Sequence, residues 1–292
     1  MLNFILYRIG QRLAVIFPLW FSYGLAVFLA DLHRLFSAID RAAVRDNIRV
    51  VLPGADDKLI KVYTKEIFRD FAKYLIDFFR FERIDKNYIK ERVSIEGLDI
   101  VDKAFSKGNG VIVVTAHIGN WELAGITMAI LGYPIVCVAL THRNIRINDF
   151  FTNQRERKGL GVIPLGNAAF RCMSALKDNK MLALVGDRDF TQAGISIDFF
   201  GKPTIIPKGP AAFSLKTNAS LLVGIMLREK KGRFKFKYEG PVEITPSGDE
   251  EKDIRELTKK YISILEKYIR GCPEQWLMFR RFWEPVDMNA CD

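Results

Sequence analysis

Histidine is scarce in this chain: 292 residues include three, His33, His117 and His142. Few imidazoles are therefore available for acid–base chemistry or metal binding. Cysteine is also sparse, and the four residues at 137, 172, 272 and 291 show no CxxC spacing. Cys137 and Cys172 fall in apolar periodic segments. This pattern argues against disulfides or a zinc site and reads as reduced packing thiols in a cytosolic setting. Internal repeats and low-complexity segments are missing, so a solenoid or a long disordered linker is not expected. No recognisable nucleic-acid reader motif occurs, and nucleic acid is not expected as a partner.

Positive charge and aromatic surface are plentiful. Lys and Arg total 44 against 34 Asp and Glu, a net charge of +10, with a pI near 9.4. Such a balance favours an anionic partner: nucleic acid, an acidic membrane surface, or a phosphorylated or acidic substrate. The chain has 22 phenylalanines and four tryptophans at a mean hydropathy of +0.04. That excess tilts the choice toward membrane or acyl chains. With 49% hydrophobic residues, the chain can bury a substantial core, as one large domain or a domain with an appendage.

Residues 13–30, LAVIFPLWFSYGLAVFLA, are apolar and uncharged. As one helix they would be about 27 Å long, the low edge of spanning length. No small-residue cleavage site follows, which argues against a secretory signal. Basic residues on both flanks leave the orientation open, and Pro18 also permits a helix lying in the interface. Residues 1–36 therefore read as a membrane-anchoring or interfacial helix, in preference to a buried core helix, ahead of a domain over 37–292.

Residues 38–52 read as a short helix stopped by Pro53-Gly54, and 57–81 as a longer one. The latter carries Leu59, Val62, Tyr63, Ile67, Phe71, Tyr74, Leu75, Phe78 and Phe79 at helical spacing. That stripe suits a core face, or a groove for an acyl tail. From residue 94, strands near 94–98, 111–116, 135–140, 162–165, 181–186, 195–200, 221–227 and 234–240 alternate with helices at 121–131, 147–158, 167–178, 208–218 and 250–270. The alternation predicts an α/β fold with a mixed, mostly parallel central sheet flanked by helices, behind an N-terminal hydrophobic helical segment. Functional groups should then gather at the carboxyl ends of the strands.

VIVVTAHIGNWELAG, residues 111–125, meets that rule. His117 follows a buried strand, Asn120 is a plausible N-cap, and Glu122 falls in the first helical turn. From there the carboxylate can reach back to the imidazole, making a general base for a hydroxyl. The residue types alone equally fit a loop histidine whose hydrogen bonds are satisfied. Beyond residues 135–140 come Arg143, Arg146, Arg155 and Arg157, together suited to phosphate or carboxylate, or singly to a solvated basic helix. GDRDF places Asp187 and Asp189 around Arg188 after another strand. With no third ligand in view a metal site is incomplete, and a structural or positioning role is preferred. Residues 199–219 predict a proline-stiffened connection into a helix near Pro210, whose free N–H groups, beside Lys208 and Gly209, can hold an anion or simply form a turn. In the tail, residues 249–283, CPEQWLMFRRFW suits a membrane-proximal edge or the end of the core.

AHIGNWELAG, GDRDF followed by DFFGKPT, P-x-G-P-A-A and PEQW together resemble the bacterial lipid A biosynthesis acyltransferases, the late lauroyl/myristoyl group. The wider family includes the phosphatidylinositol-mannoside acyltransferases. The similarity covers nearly the whole chain, and H-x-x-x-x-E in the setting HIGNWE is its most specific part. It implies a glycerolipid acyltransferase-like fold at the cytoplasmic face of a bacterial inner membrane, peripheral or single-pass. The implied reaction moves a fatty acyl group from an acyl carrier protein or coenzyme A thioester to a hydroxyl of a membrane glycolipid, with no cofactor and no metal. His117 matches the catalytic histidine and Glu122 its paired acid. Asn120, Arg143, Arg155, Arg157, Asp187, Arg188, Asp189, Lys208 and Gly209 are the expected substrate-binding set. The sequence does not name the oxyanion donors; backbone N–H groups near Gly119 and Asn120 are one candidate. Lipid A members usually end W-x-W-x-H-R-R, whereas this chain reads WLMFRRFW, a departure that bears on the acceptor more than on acyl transfer. A lysophospholipid-type acyltransferase and a non-catalytic lipid-binding homologue are the competing readings.

Overall fold

The structure, a computed structural model, describes residues 2–190 and 193–284. Four helices come first: α1 (Leu2–Ile16), α2 (Leu19–Phe36), α3 (Ala38–Val51) and α4 (Asp57–Phe79). The alternating part runs α5 (Lys86–Arg92), β1 (Val93–Glu96), α6 (Leu98–Phe105), β2 (Val111–Thr115), α7 (Trp121–Leu131), β3 (Ile135–Ala139), α8 (Ile145–Glu156), β4 (Gly161–Pro164), α9 (Ala168–Lys177) and β5 (Met181–Val185). A hairpin, β6 (Ile195–Phe199) and β7 (Lys202–Ile206), precedes α10 (Gly209–Thr217), β8 (Ser220–Arg228), β9 (Phe234–Glu239) and α11 (Glu250–Gly271).

The sheet has seven strands in the order β1-β9-β8-β2-β5-β3-β4. Neighbours are parallel except β8 and β9, so the expected mixed, mostly parallel sheet is present. The local sequence explains the central strand. Val111–Val114 are β-branched and fully buried or nearly so, as both faces of a central parallel strand require. Helix α7 starts where the Asn120 side chain accepts the Leu123 N–H and stops at Gly132, whose φ is +99°; the start is an N-cap and the stop a left-handed C-terminal glycine. One core packs on each face of the sheet, and a third joins α3 and α4 to Leu277.

Three expectations change. The apolar run 13–30 is not one helix: α1 ends at Ile16 and α2 begins at Leu19, after Pro18. Proline lacks the N–H that would continue the helix and clashes with the preceding turn. Beyond the break, α2 carries Asp31, His33 and Arg34. Among the described residues no helix is long and apolar enough to cross a membrane. The 57–81 stripe is half right: Ile67 and Phe78 are buried, while Leu59 and Val62 stay exposed. The proline-stiffened stretch 199–219 contains β7, paired antiparallel with β6; Pro203 fits a two-strand ribbon because it sits on an edge strand. Cys137, Cys172 and Cys272 are free thiols, and Cys291 lies outside the described residues.

Candidate active site

The register of β2 on β5 builds the centre of the site. Val111 pairs with Met181 and Thr115 with Val185. Extending both strands by two residues brings His117 beside Asp187. The Gly186 N–H donates to the Thr115 carbonyl at 2.7 Å, which prolongs the ladder. A Cβ on Gly186 would stand 2.5 Å from the Val114 side chain, so only glycine lets the strands run this close. Asp187 then takes three donors. His117 Nδ1–H donates to Oδ1 at 2.7 Å, the His117 backbone N–H to Oδ2 at 3.0 Å, and Trp276 Nε1–H to Oδ2 at 3.0 Å.

The carboxylate on the imidazole is therefore Asp187, and the expected Glu122–His117 contact is corrected. Glu122 lies in the first turn of α7, where it takes a bidentate ion pair from Arg155 of α8: Nε to Oε2 at 2.8 Å and Nη2 to Oε1 at 2.6 Å. The Glu122 and Arg155 side chains are 10% and 12% exposed. Burial alone would push the Asp187 carboxyl up, but the His117 charge and the donated hydrogen bonds outweigh it and hold the carboxyl below the usual range. Burial likewise works against the Arg155 cation, and Glu122 more than reverses it.

His117, 20% exposed at its side chain, opens onto a cavity of about 1090 Å³. Glu122, Arg155, His142, Arg188, Asp189, Lys208 and Gly209 line it together with apolar residues from β3, α9 and β5. The volume is at the upper end for a small-molecule site. Cys137 lines it too, but burial pushes its thiol up to about 12. It is no thiolate at neutral pH, and so a poor nucleophile.

The remaining expected residues divide. Asp189 is buried, with the Gly194 N–H on its Oδ2 at 3.2 Å; Arg188 lies 4.2 Å from the Phe190 ring centroid. Asn120 is corrected from substrate contact to scaffold: it is 1% exposed, caps α7, and donates from Nδ2 to Asp77 at 2.8 Å. Arg143 and Arg157 are exposed and line no part of the cavity. Helical geometry makes Arg155, two positions from Arg157, face the other way. The candidate oxyanion donors at Gly119 and Asn120 are spent: their N–H groups donate to the Gln275 and Met226 carbonyls, both at 2.9 Å. Gly119 has φ +61°, and a Cβ there would lie 2.0 Å from the Met226 carbonyl oxygen; the loop needs glycine at that point.

Several neighbours of the site carry no signal in the sequence. Asp77 of α4 is 2% exposed and gathers Tyr23 of α2, Asn120 and Arg228 of β8. Arg228 also donates to the Tyr23 hydroxyl at 3.0 Å. This cluster ties α2 and α4 to the loop that carries His117. Gln275 closes the other side: its Oε1 accepts the Arg228 N–H at 2.7 Å and its Nε2 donates to the Arg228 carbonyl at 3.0 Å. The Leu277 N–H reaches the His117 carbonyl at 2.7 Å. PEQW thus locks the loop that carries His117, and Trp276, 1% exposed, is the end of the core rather than a membrane edge.

A buried carboxylate on one ring nitrogen, with the histidine lining a largely apolar cavity, is an arrangement able to take a proton from a group placed in that cavity. Among the described residues no group of three or more His, Cys, Asp or Glu could hold a metal ion. Residues 2–284 match the model of the family described as bacterial lipid A biosynthesis acyltransferase, and the chain belongs to that family of acyltransferases. It is similar to a phosphatidylinositol mannoside acyltransferase of Mycobacterium tuberculosis, 29% identical over 73% of this chain and 67% of the relative. It is also similar to the lipid A biosynthesis palmitoleoyltransferase of Escherichia coli, 24% identical over 87% of this chain and 81% of the relative. A lipid A biosynthesis acyltransferase of Haemophilus influenzae is 20% identical over 81% and 73%.

Proposed function

We propose that the protein transfers a fatty acyl chain from an acyl thioester, of acyl carrier protein or coenzyme A, to a hydroxyl of a membrane glycolipid. The acceptor is a lipid A precursor or a related glycolipid such as a mannosylated phosphatidylinositol, as the names of the relatives suggest. One observation carries the reading: His117 Nδ1–H is held 2.7 Å from Asp187 while the ring lines the large cavity. That bond fixes the tautomer with Nε2 unprotonated and open to a hydroxyl.

In the reaction, Nε2 takes the acceptor's hydroxyl proton as the oxygen attacks the thioester carbonyl. The C–O bond forms, the C–S bond breaks, and the imidazolium returns its proton to the leaving thiolate. Asp187 stabilises the imidazolium in between, and general-base help of this kind is worth roughly 10²–10⁴-fold. The acyl tail occupies the apolar part of the cavity. Lys208, Arg188 and the start of α10 hold the anionic portion of the substrates, and Glu122 keeps Arg155 fixed at the cavity wall. No acyl-enzyme is needed.

Residues 1–36 act as the anchoring unit on domain 37–292, at the cytoplasmic face of a bacterial inner membrane. Trp20 (76% exposed), Phe36 (80% exposed), Phe28 and Leu6 are exposed apolar side chains on α1 and α2, suited to peripheral insertion. The positive net charge favours an anionic bilayer, each nearby Lys or Arg adding about 1 kcal/mol.

The test compares, by mass spectrometry, membrane lipids of a host lacking the protein with hosts restored by wild type or by His117→Ala. A lipid gaining one acyl chain only with wild type is expected, and its mass identifies acceptor and chain. Equal shifts from both would remove His117 as the base. No shift from either would support the non-catalytic lipid-binding reading.

A further inference from the structure

A second cavity lies apart from the catalytic one, on the helical side of the molecule. It is a cleft of about 530 Å³ between α1, α2 and α4. Its walls are almost wholly apolar, with Leu13, Leu25, Leu29, Phe71, Leu75 and Ile76 prominent. Small residues at Ala26, Ala30 and Ala72 line the gap, where ordinary helix packing would interleave larger side chains. An open apolar cleft of this kind is stabilised by an apolar occupant and disfavoured when wet.

Two features select the occupant. The wall residues Leu13, Phe17, Leu25 and Leu29 are themselves between 37% and 53% exposed, so the cleft shares the outward apolar face of α1 and α2 and is loaded from the bilayer. At its inner wall, Phe71 stacks on Tyr74 (centroids 6.0 Å apart, planes at 20°) and Tyr74 on Trp121 (4.5 Å, 27°). Trp121 meets the His117 ring edge-on at 5.1 Å. Tyr74, Trp121 and His117 line the larger cavity, so a row of touching rings runs from Phe71 in the cleft wall to the proposed base. The catalytic cavity already offers an apolar recess reached directly from His117, which suits the donor's tail. A membrane-resident acceptor is the substrate that must bring its hydroxyl to His117 while its own tails remain in apolar surroundings.

We propose that the cleft between α1, α2 and α4 holds one acyl chain already borne by the membrane acceptor, placing the acceptor's hydroxyl at His117 from the side opposite the donor tail. This rests on the acyl-transfer reading for the identity of the lipid, while the site itself is tested without turnover. The full chain is bound to vesicles of phosphatidylglycerol and phosphatidylcholine doped with a phosphatidylinositol that carries a diazirine near the end of one acyl chain. After irradiation, the labelled peptides are mapped. A diazirine-tailed acyl-coenzyme A is used in a parallel sample.

The expected result is lipid label on Phe71, Leu75 and Ile76 of α4, and thioester label at the β3 and α9 wall of the other cavity. Ala26→Phe, which fills the cleft, should lower the α4 label several-fold while label on Trp20 and Phe28 persists. Ala26→Leu supplies a milder filling should the larger ring disturb folding, with thermal melts as the control. His117→Ala should leave both patterns intact, so failure of the acyl-transfer chemistry and failure of the cleft are separate outcomes. Lipid label confined to the outer faces of α1 and α2, or α4 label indifferent to filling, overturns the proposal. Thioester label in the cleft overturns it in favour of a donor site. A cleft protected only at high protein concentration overturns it in favour of a second copy of this chain.

Discussion

Two buried carboxylates of the site, Asp187 and Glu122, work differently. Just beyond β5, Asp187 is fully buried and spends its oxygens on His117 and Trp276. On α7, Glu122 spends both oxygens on Arg155. One carboxylate therefore sets the tautomer of His117, while the other forms a closed ion pair at the cavity wall. The lesson concerns adjacency: the acid five positions from His117 does not touch it, and the acid on the neighbouring strand does. A shared motif can mark two residues of one site without making them partners.

Removing one carboxylate at a time should show in different observables. Asp187→Asn should cost the most activity, on the order of 10²–10⁴-fold in kcat, because the amide favours the wrong tautomer. Thioester turnover measures it, and a loss below tenfold would contradict the assignment. Glu122→Ala should instead appear first in stability, by about 3–5 kcal/mol, since it strands a buried guanidinium. The double substitution Glu122→Leu with Arg155→Met should recover much of that in urea unfolding. Any activity deficit that remains in the refolded double variant is then the pair's contribution to substrate.

Asn120→Ala should cost about 1–2 kcal/mol through the lost cap, with an added drop in kcat as the His117 loop loosens from Asp77; Asn120→Ser should rescue the cap alone. Trp276→Phe removes one donor from the Asp187 carboxylate and should cost about 1.5–3 kcal/mol or less. The pH response separates the two carboxylates further. The folded carboxyl of Asp187 lies below its ordinary value of about 3.9, so its stabilisation is complete above that value and is lost as pH falls through the folded pKa. Unfolding free energies between pH 7 and pH 3 should therefore fall less steeply in Asp187→Asn than in wild type. Trp276→Phe should shift the same acid limb upward by a smaller amount.

Much of the alternating half was readable in order. β-Branched runs such as Val111–Val114 and the Asn120 cap mark a strand and a helix whatever surrounds them, because side-chain stiffness and capping are local effects. The short α5 and α6 escaped, their patterns being too brief to show a period. Pro18 splits an apolar run that reads continuously across it into α1 and α2. Asp77, Arg228 and Tyr23 could not have been paired from sequence, since each lies on a different element and nothing local selects the others.

The sequence alone determined that a histidine stands at the end of a buried strand and that a helix begins after it, since strand burial and capping depend on neighbouring residues. It also determined an apolar surface too rich for a simple solvated coat. Only the tertiary structure decided which carboxylate holds that histidine. The choice follows from the register of β2 on β5, a contact between residues 70 positions apart, set by the two strands packing together and by a glycine small enough to let them.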